Sequence, residues 1–186
     1  MRHYSNMAEL SAGWARGRLG DLTAGADRVR RALAAHLDQG FRIGAVFYTG
    51  LLAELEAETL GAESALGRTD EAMALAHQAE YRFDLAFLYR IRGGILFKQH
   101  VANPALAKEA FEAAIAVSNQ QGARSHELLA SLSLAKLYQS TARPAEAHAV
   151  LAPALEGFSP TPEMPEIAEA QTLLVAIEAG GHVRHE

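Results

Sequence analysis

Cysteine is absent from all 186 residues, which removes disulfides and thiolate metal ligands together. Long apolar runs are missing too. The best candidate, Gly44 to Leu55, already contains Glu54 and stops at Glu56, well short of the about 20 residues that span a bilayer. The first ten residues carry Arg2, His3, Asn6 and Glu9 without a continuous apolar stretch, so no signal peptide is expected and the expected location is cytoplasmic. Net positive charge is also lacking: 17 Lys and Arg face 22 Asp and Glu, a formal charge of −5. Neutralising phosphates needs a basic patch, so neither a nucleic acid nor a membrane is expected as partner. Finally, no stretch alternates apolar and polar residues long enough to argue for a strand.

What is present is an ordinary balance of 49% apolar and 21% charged residues, with helical periodicity in almost every segment. The expected class is all-α. Helices are read at Met7 to Leu19, Leu22 to Gln39, Ile43 to Gly61 or somewhat beyond, Thr69 to Ala79, Leu85 to His100, Pro104 to Gln121, Ser125 to Ser140, Pro144 to Glu156 and Pro165 to Ala179. Local signals punctuate them. Asn103-Pro104 offers a cap before a first-turn proline, Gln121-Gly122 a C-terminal stop, and Ser125-His126 a cap and first-turn residue. Pro153 falls inside the eighth helix and predicts a kink or an end there.

A small residue, a mostly apolar one four later and an alanine three later recur as Gly25/Val29/Ala32, Ala72/Ala76/Ala79, Ala107/Phe111/Ala114 and Ala147/Leu151/Ala154. Five residues ahead of each stands Gly20, Gly67, Ala102 or Ala142. The spacing predicts the second helix of a helix-turn-helix repeat, with small residues setting the interhelix distance and bulky ones filling the space between. The first members lie 47, 35 and 40 residues apart, and one interval is close to the tetratricopeptide (TPR) period. Counting Ala147 as the twentieth place puts Leu134, Ala135 and Tyr138 at the seventh, eighth and eleventh, the large-small-aromatic pattern of a TPR first helix. The expected architecture is one right-handed α-solenoid of about four hairpins, over residues 7–39, 43–79, 85–121 and 125–156, with a capping helix over 165–179.

The segments Gly13-Trp14-Ala15, Leu51-Leu52-Ala53-Glu54, Gly67-Arg68 with Glu71-Ala72, Arg90-Ile91-Arg92-Gly93 and Gln121 to Leu128 occur in an order that resembles the carboxyl-terminal TPR region of bacterial class III adenylate/guanylate cyclases and related predicted signal-transduction ATPases. The resemblance runs from about Gly13 to Leu174. It implies a sensory or protein-docking superhelix that follows catalytic parts in larger chains. No G-x-x-x-x-G-K-[ST] phosphate cradle is present here, nor paired aspartates in a strand context. Departures are the long Leu55 to Leu66 stretch and Gly94, where the family more often has a carboxylate.

No residue set argues for catalysis, a cofactor or a metal. His36, His77, His100, His126 and His148 form no i, i+4 pair, and His182 and His185 lie in a polar tail. The expected function is a non-enzymatic scaffold that binds a protein or peptide partner through a concave groove in a bacterial signalling pathway. The alternatives are a small-ligand sensor with an enclosed pocket of roughly 300–1,000 Å³, and a self-associating fragment of a larger regulator, with a homodimer forming through apolar faces near Phe41 to Leu52. By repeat phase the groove candidates are Tyr89, Arg92, Gln99, Lys136 and Gln139, with Trp14 either a core anchor or a ligand platform. Arg90 and Arg92 either pair with carboxylates or meet a ligand. The clamp that binds chaperone tails needs lysine and asparagine at set groove places, and Leu132 and Lys136 stand there instead. Arg16, Arg18, Arg28, Arg30 and Arg31 precede Glu54, Glu56, Glu58 and Glu63. They read either as two solvated faces opposed across a turn or as a docking patch for an acidic partner.

Overall fold

The computed structural model describes residues 2–41, 44–78, 80–99, 104–161 and 163–182. Among them the chain is all-helical, with nine helices: α1 (Arg2–Arg18), α2 (Leu22–Asp38), α3 (Ala45–Thr59), α4 (Ala62–Gln78), α5 (Leu85–Gln99), α6 (Ala105–Gln121), α7 (Arg124–Ser140), α8 (Pro144–Leu155) and α9 (Pro165–His182). Ala79, His100, Ala102, Asn103 and His185, which carried parts of the sequence reading, lie outside the described residues.

Short connections force successive helices into hairpins: α1 packs on α2, α3 on α4, α5 on α6 and α7 on α8. Each even helix touches only the odd helices before and after it, whereas α1, α3, α5, α7 and α9 also touch one another in series. The odd helices therefore form one layer and the even helices a second. α9 lies on α7 and α8, burying Ile167 and Ala170.

The stops follow local chemistry. Asp21 caps α2 by accepting a hydrogen bond from the Ala24 amide at 3.3 Å, and Gly122 ends α6 in the left-handed conformation at φ +65°. α8 ends two residues after Pro153, whose ring removes an internal amide donor. Ser125 is not the cap of α7, because that helix already begins at Arg124.

The second hairpin corrects the sequence reading. Gly67 is interior to α4, and the turn lies at Leu60-Gly61, where Gly61 takes φ +93°. The residues matching Gly25/Val29/Ala32 are then Ala65/Thr69/Ala72, all buried and beginning, like Gly25 and Ala147, at the fourth position of their helix. With this register the repeat interval is nearly even at 40, 42 and 40 residues. Ala72 and Ala76 lie on the same face two turns along, so the alanine pattern fits equally well when slipped by seven residues.

Phe111 is 2% exposed, and its ring packs over Gly93. A Cβ on that glycine would stand 2.5 Å from the ring. Leu134, Ala135 and Tyr138 are buried as the phase predicted. The arginine-rich and glutamate-rich segments do oppose each other, with Arg30 to Glu56 at 2.9 Å and Arg18 to Glu54 at 3.7 Å. Yet Glu56 is not on a solvated face. It is fully buried, and Arg68 of α4 meets it from the other side at 3.2 Å, so one carboxylate ties α2, α3 and α4. Most of α3 from Ala45 to Leu52 is likewise buried within the chain, while Phe41, at the start of the face read as a self-pairing surface, is exposed.

Candidate functional site

The layer of odd helices lines a half-open cavity of about 850 Å³. Its walls come from every odd helix and from no even one: Trp14 and Arg18 of α1, Phe47, Tyr48 and Glu54 of α3, Phe87 and Arg90 of α5, His126, Leu129, Leu132, Ser133 and Lys136 of α7, and Glu166 and Glu169 of α9. A smaller cavity of about 110 Å³ shares Glu54, Arg90 and Ser133 and runs past Ile91, Gly94 and Lys98.

Of the groove candidates, Trp14 and Lys136 line this cavity and Tyr89, Arg92, Gln99 and Gln139 do not. Arg92 turns outward to pair with Asp70 of α4. Arg90, two residues away and so on nearly the opposite side of α5, points inward instead. The two alternatives for the arginines thus divide, Arg92 being ion-paired and Arg90 facing the cavity. Trp14 packs its ring on the core edge, and its indole N–H donates to Glu54 Oε2 at 3.3 Å within the cavity wall.

The cavity's cations differ in how they are held. Arg18 lies 3.7 Å from Glu54, and Lys136 pairs with Glu169 at 2.7 Å. Arg90 has no hydrogen bond and no ion pair; its Nε is buried without a partner, and its nearest aromatic neighbour is the Phe87 ring, 5.6 Å from the guanidinium carbon. Burial pulls its ionisation below that of an ordinary arginine, Glu54 and Glu166 pull the other way, and Arg18 adds to the fall. His126 Nδ1 is also buried without a partner. Burial, helped by the charge of Arg90, pushes the His126 pKa down. Sequence reasoning missed His126 by reading it as a first-turn residue, although its spacing from Leu129 and Ser133 on one helix face was visible.

Three other histidines whose side chains are described stay apart from this site: His36 is buried against Phe41, His77 Nδ1 contacts the Met73 carbonyl at 2.6 Å, and His148 meets Glu178 at 3.4 Å. Among the described residues no group of three or more His, Asp or Glu side chains is placed to hold a metal ion. None of the described helices is long and apolar enough to cross a membrane. In comparison with known proteins, no family model and no curated protein matches the chain.

Proposed function

We propose that the chain is a non-enzymatic TPR-like superhelix with a lengthened repeat, a regulatory scaffold of a bacterial cytoplasmic signalling pathway that docks a protein or peptide segment on its inner face. One observation carries this reading: a single cavity walled by all five odd helices and by no even helix. A repeat array presents such a surface when its first helices face inward, and inner surfaces of this kind serve as extended binding sites. The even repeat interval supports the array reading, although 40 to 42 residues exceeds the TPR period of about 34. The ordered segments that resemble the carboxyl-terminal region of class III cyclases support the signalling assignment by analogy.

The test is affinity capture with the purified chain, followed by rebinding of the purified partner. A Ser133→Arg/Lys136→Glu variant obstructs the cavity, and Arg92→Glu, whose side chain lies off it, is the control. The reading predicts loss of rebinding in the first variant and retention in the second. Undiminished rebinding to the obstructed chain would overturn it.

A small-ligand sensor is the second reading. It is favoured by the cavity volume of about 850 Å³, inside the range of roughly 300–1,000 Å³ typical of small-molecule pockets. The two readings separate by which fraction of a cell extract raises the melting temperature, the dialysable or the retained one.

A further inference from the structure

We propose that the occupant of this cavity carries a single carboxylate on an apolar body, and that Arg90 seats that carboxylate with His126 beside it. The inference rests on the inner face being the binding face and names the chemistry it takes.

Arg90 is set apart from the other cations of the wall. Arg18 and Lys136 already face Glu54 and Glu169, whereas Arg90 meets no carboxylate within ion-pair distance, and no nitrogen of its guanidinium is hydrogen-bonded. Its terminal nitrogens are not among the buried unpartnered atoms, so they are open to the cavity that Arg90 lines. A half-buried guanidinium whose neighbouring carboxylates stay beyond ion-pair distance is costly unless an anion completes it. His126 of α7 lines the same cavity, and its Nδ1 is buried behind that wall without a partner.

The rest of the wall narrows the class. A guanidinium fork matches the planar geometry of a carboxylate and binds it through two parallel hydrogen bonds. Glu54, Glu166 and Glu169 line the same cavity as Arg18, Arg90 and Lys136; with Arg18 and Lys136 already paired, only Arg90 lacks an ion pair among these cations, so the second charge of a phosphate dianion would find no free cation. Trp14, Phe47, Phe87, Leu129 and Leu132 line the same cavity and call for an apolar or aromatic body behind the acid group. Such a carboxylate has two sources: a free organic acid or the carboxyl terminus of a peptide.

Trp14 is the only tryptophan in the chain and lies in the cavity wall, so its emission reports occupancy directly. The full chain is titrated with 4-phenylbutyrate, its neutral isostere 4-phenylbutyramide and inorganic phosphate. It is also titrated with a pentapeptide ending in Leu-Phe, with its terminus either free or amidated. The expected result is a saturable emission change with the free acids, at least about tenfold weaker binding of the amides, and no response to phosphate. Arg90→Met, which keeps most of the side-chain volume, should abolish the preference for acid over amide. The better binder of phenylbutyrate and free-terminus peptide identifies the source. Amides binding as well as acids, displacement by phosphate, preference retained in Arg90→Met, or no response to any acid up to about 10 mM would each overturn the proposal. The acid-amide comparison on the unaltered chain stands even if Arg90→Met does not fold. Absent acid binding together with loss of partner in Ser133→Arg/Lys136→Glu would reject the carboxylate while leaving the inner-face reading intact.

Discussion

The first and fourth hairpins close equivalent helix contacts with different side chains. Between α1 and α2 the contact is backbone on backbone: a Cβ on Gly25 would stand 2.6 Å from the Gly17 amide nitrogen and 2.8 Å from the Gly13 carbonyl oxygen. Between α7 and α8 the same face holds Ala135, Ala147 and Leu151, each 0% exposed, and Ala154 at 2%. The first hairpin gains proximity at the expense of helix propensity, about 1 kcal/mol for each interior glycine relative to alanine. The fourth keeps propensity and fills the wider gap with leucine. Despite this, Trp14 and Lys136, each eleven residues before the small residue that opens its pattern, both reach the cavity. The repeat therefore fixes where inner-face side chains arrive, and the glycine or alanine choice sets only how close the outer helix comes.

The third hairpin combines the two solutions, and it should show the largest effect. Phe111→Ala removes a ring that is 2% exposed and is expected to cost about 3–5 kcal/mol in urea unfolding. Gly93→Ala should destabilise the native chain, because its new methyl would meet that ring at 2.5 Å. In the Phe111→Ala background the same substitution should be neutral or stabilising, since the methyl enters the vacated space. A double-mutant cycle reads the coupling; simple additivity would show that the glycine and the ring do not share one contact.

A smaller effect tests the comparison itself. Gly25→Ala should cost about 1–3 kcal/mol, because backbone atoms of α1 cannot move aside as a side chain can. Ala147→Gly should cost about 1 kcal/mol through lost propensity. If Gly25→Ala stabilises, as propensity alone demands, the two hairpins do not differ in the way described above.

The same difference explains how much the sequence disclosed. Helix class and most boundaries were legible because prolines and glycine stops act within a few residues, as Gly122 and Pro153 illustrate. The second hairpin was misregistered because Thr69 takes the middle place of its pattern, buried with its hydroxyl donating to the Leu66 carbonyl at 2.8 Å. A hydroxyl satisfied inside its own helix looks polar in the sequence and behaves as core. Arg90 was left out of the groove candidates for a geometric reason. Five residues, 100–104, separate α5 from α6, against the three, 141–143, between α7 and α8. A count back from Ala107 on the fourth hairpin's spacing thus falls two short and lands on Arg92. Glu56 gave no warning of burial, because its two arginine partners lie 26 and 12 residues away on different helices.

The turns extend the comparison at lower energy. Gly20 adopts φ +111° between α1 and α2, whereas Ala142 is held at φ +57° between α7 and α8. Gly20→Ala should cost about 1–2 kcal/mol from backbone strain alone, since no heavy atom lies within 4 Å of the added Cβ. Ala142→Gly should raise stability by about 0.5–1 kcal/mol, the relief of strain being partly offset by greater freedom of the unfolded chain. A loss of stability in Ala142→Gly would mean that the alanine makes contacts outweighing its strain.

The smallest effect concerns acid, and it separates the hairpins by chemistry rather than packing. His126 in α7 has a folded-state pKa below its ordinary 6.5, held down by burial and then by Arg90. Between the folded and unfolded values the unfolded chain binds a proton that the folded chain does not, so stability falls as pH drops through about 6.5 and levels off below the folded value. Comparing melting temperatures from about pH 7.5 to about pH 5.5 should show a shallower decline in His126→Gln than in the unaltered chain. Amide exchange should place the acid-induced loosening in α7, which carries His126, before α1 and α2. Saturating 4-phenylbutyrate should weaken the dependence, because a carboxylate beside His126 favours its protonated form. Equal pH slopes in the two chains would mean that His126 gains or loses its proton without any cost to the fold, and the acid sensitivity would have to be sought in other histidines.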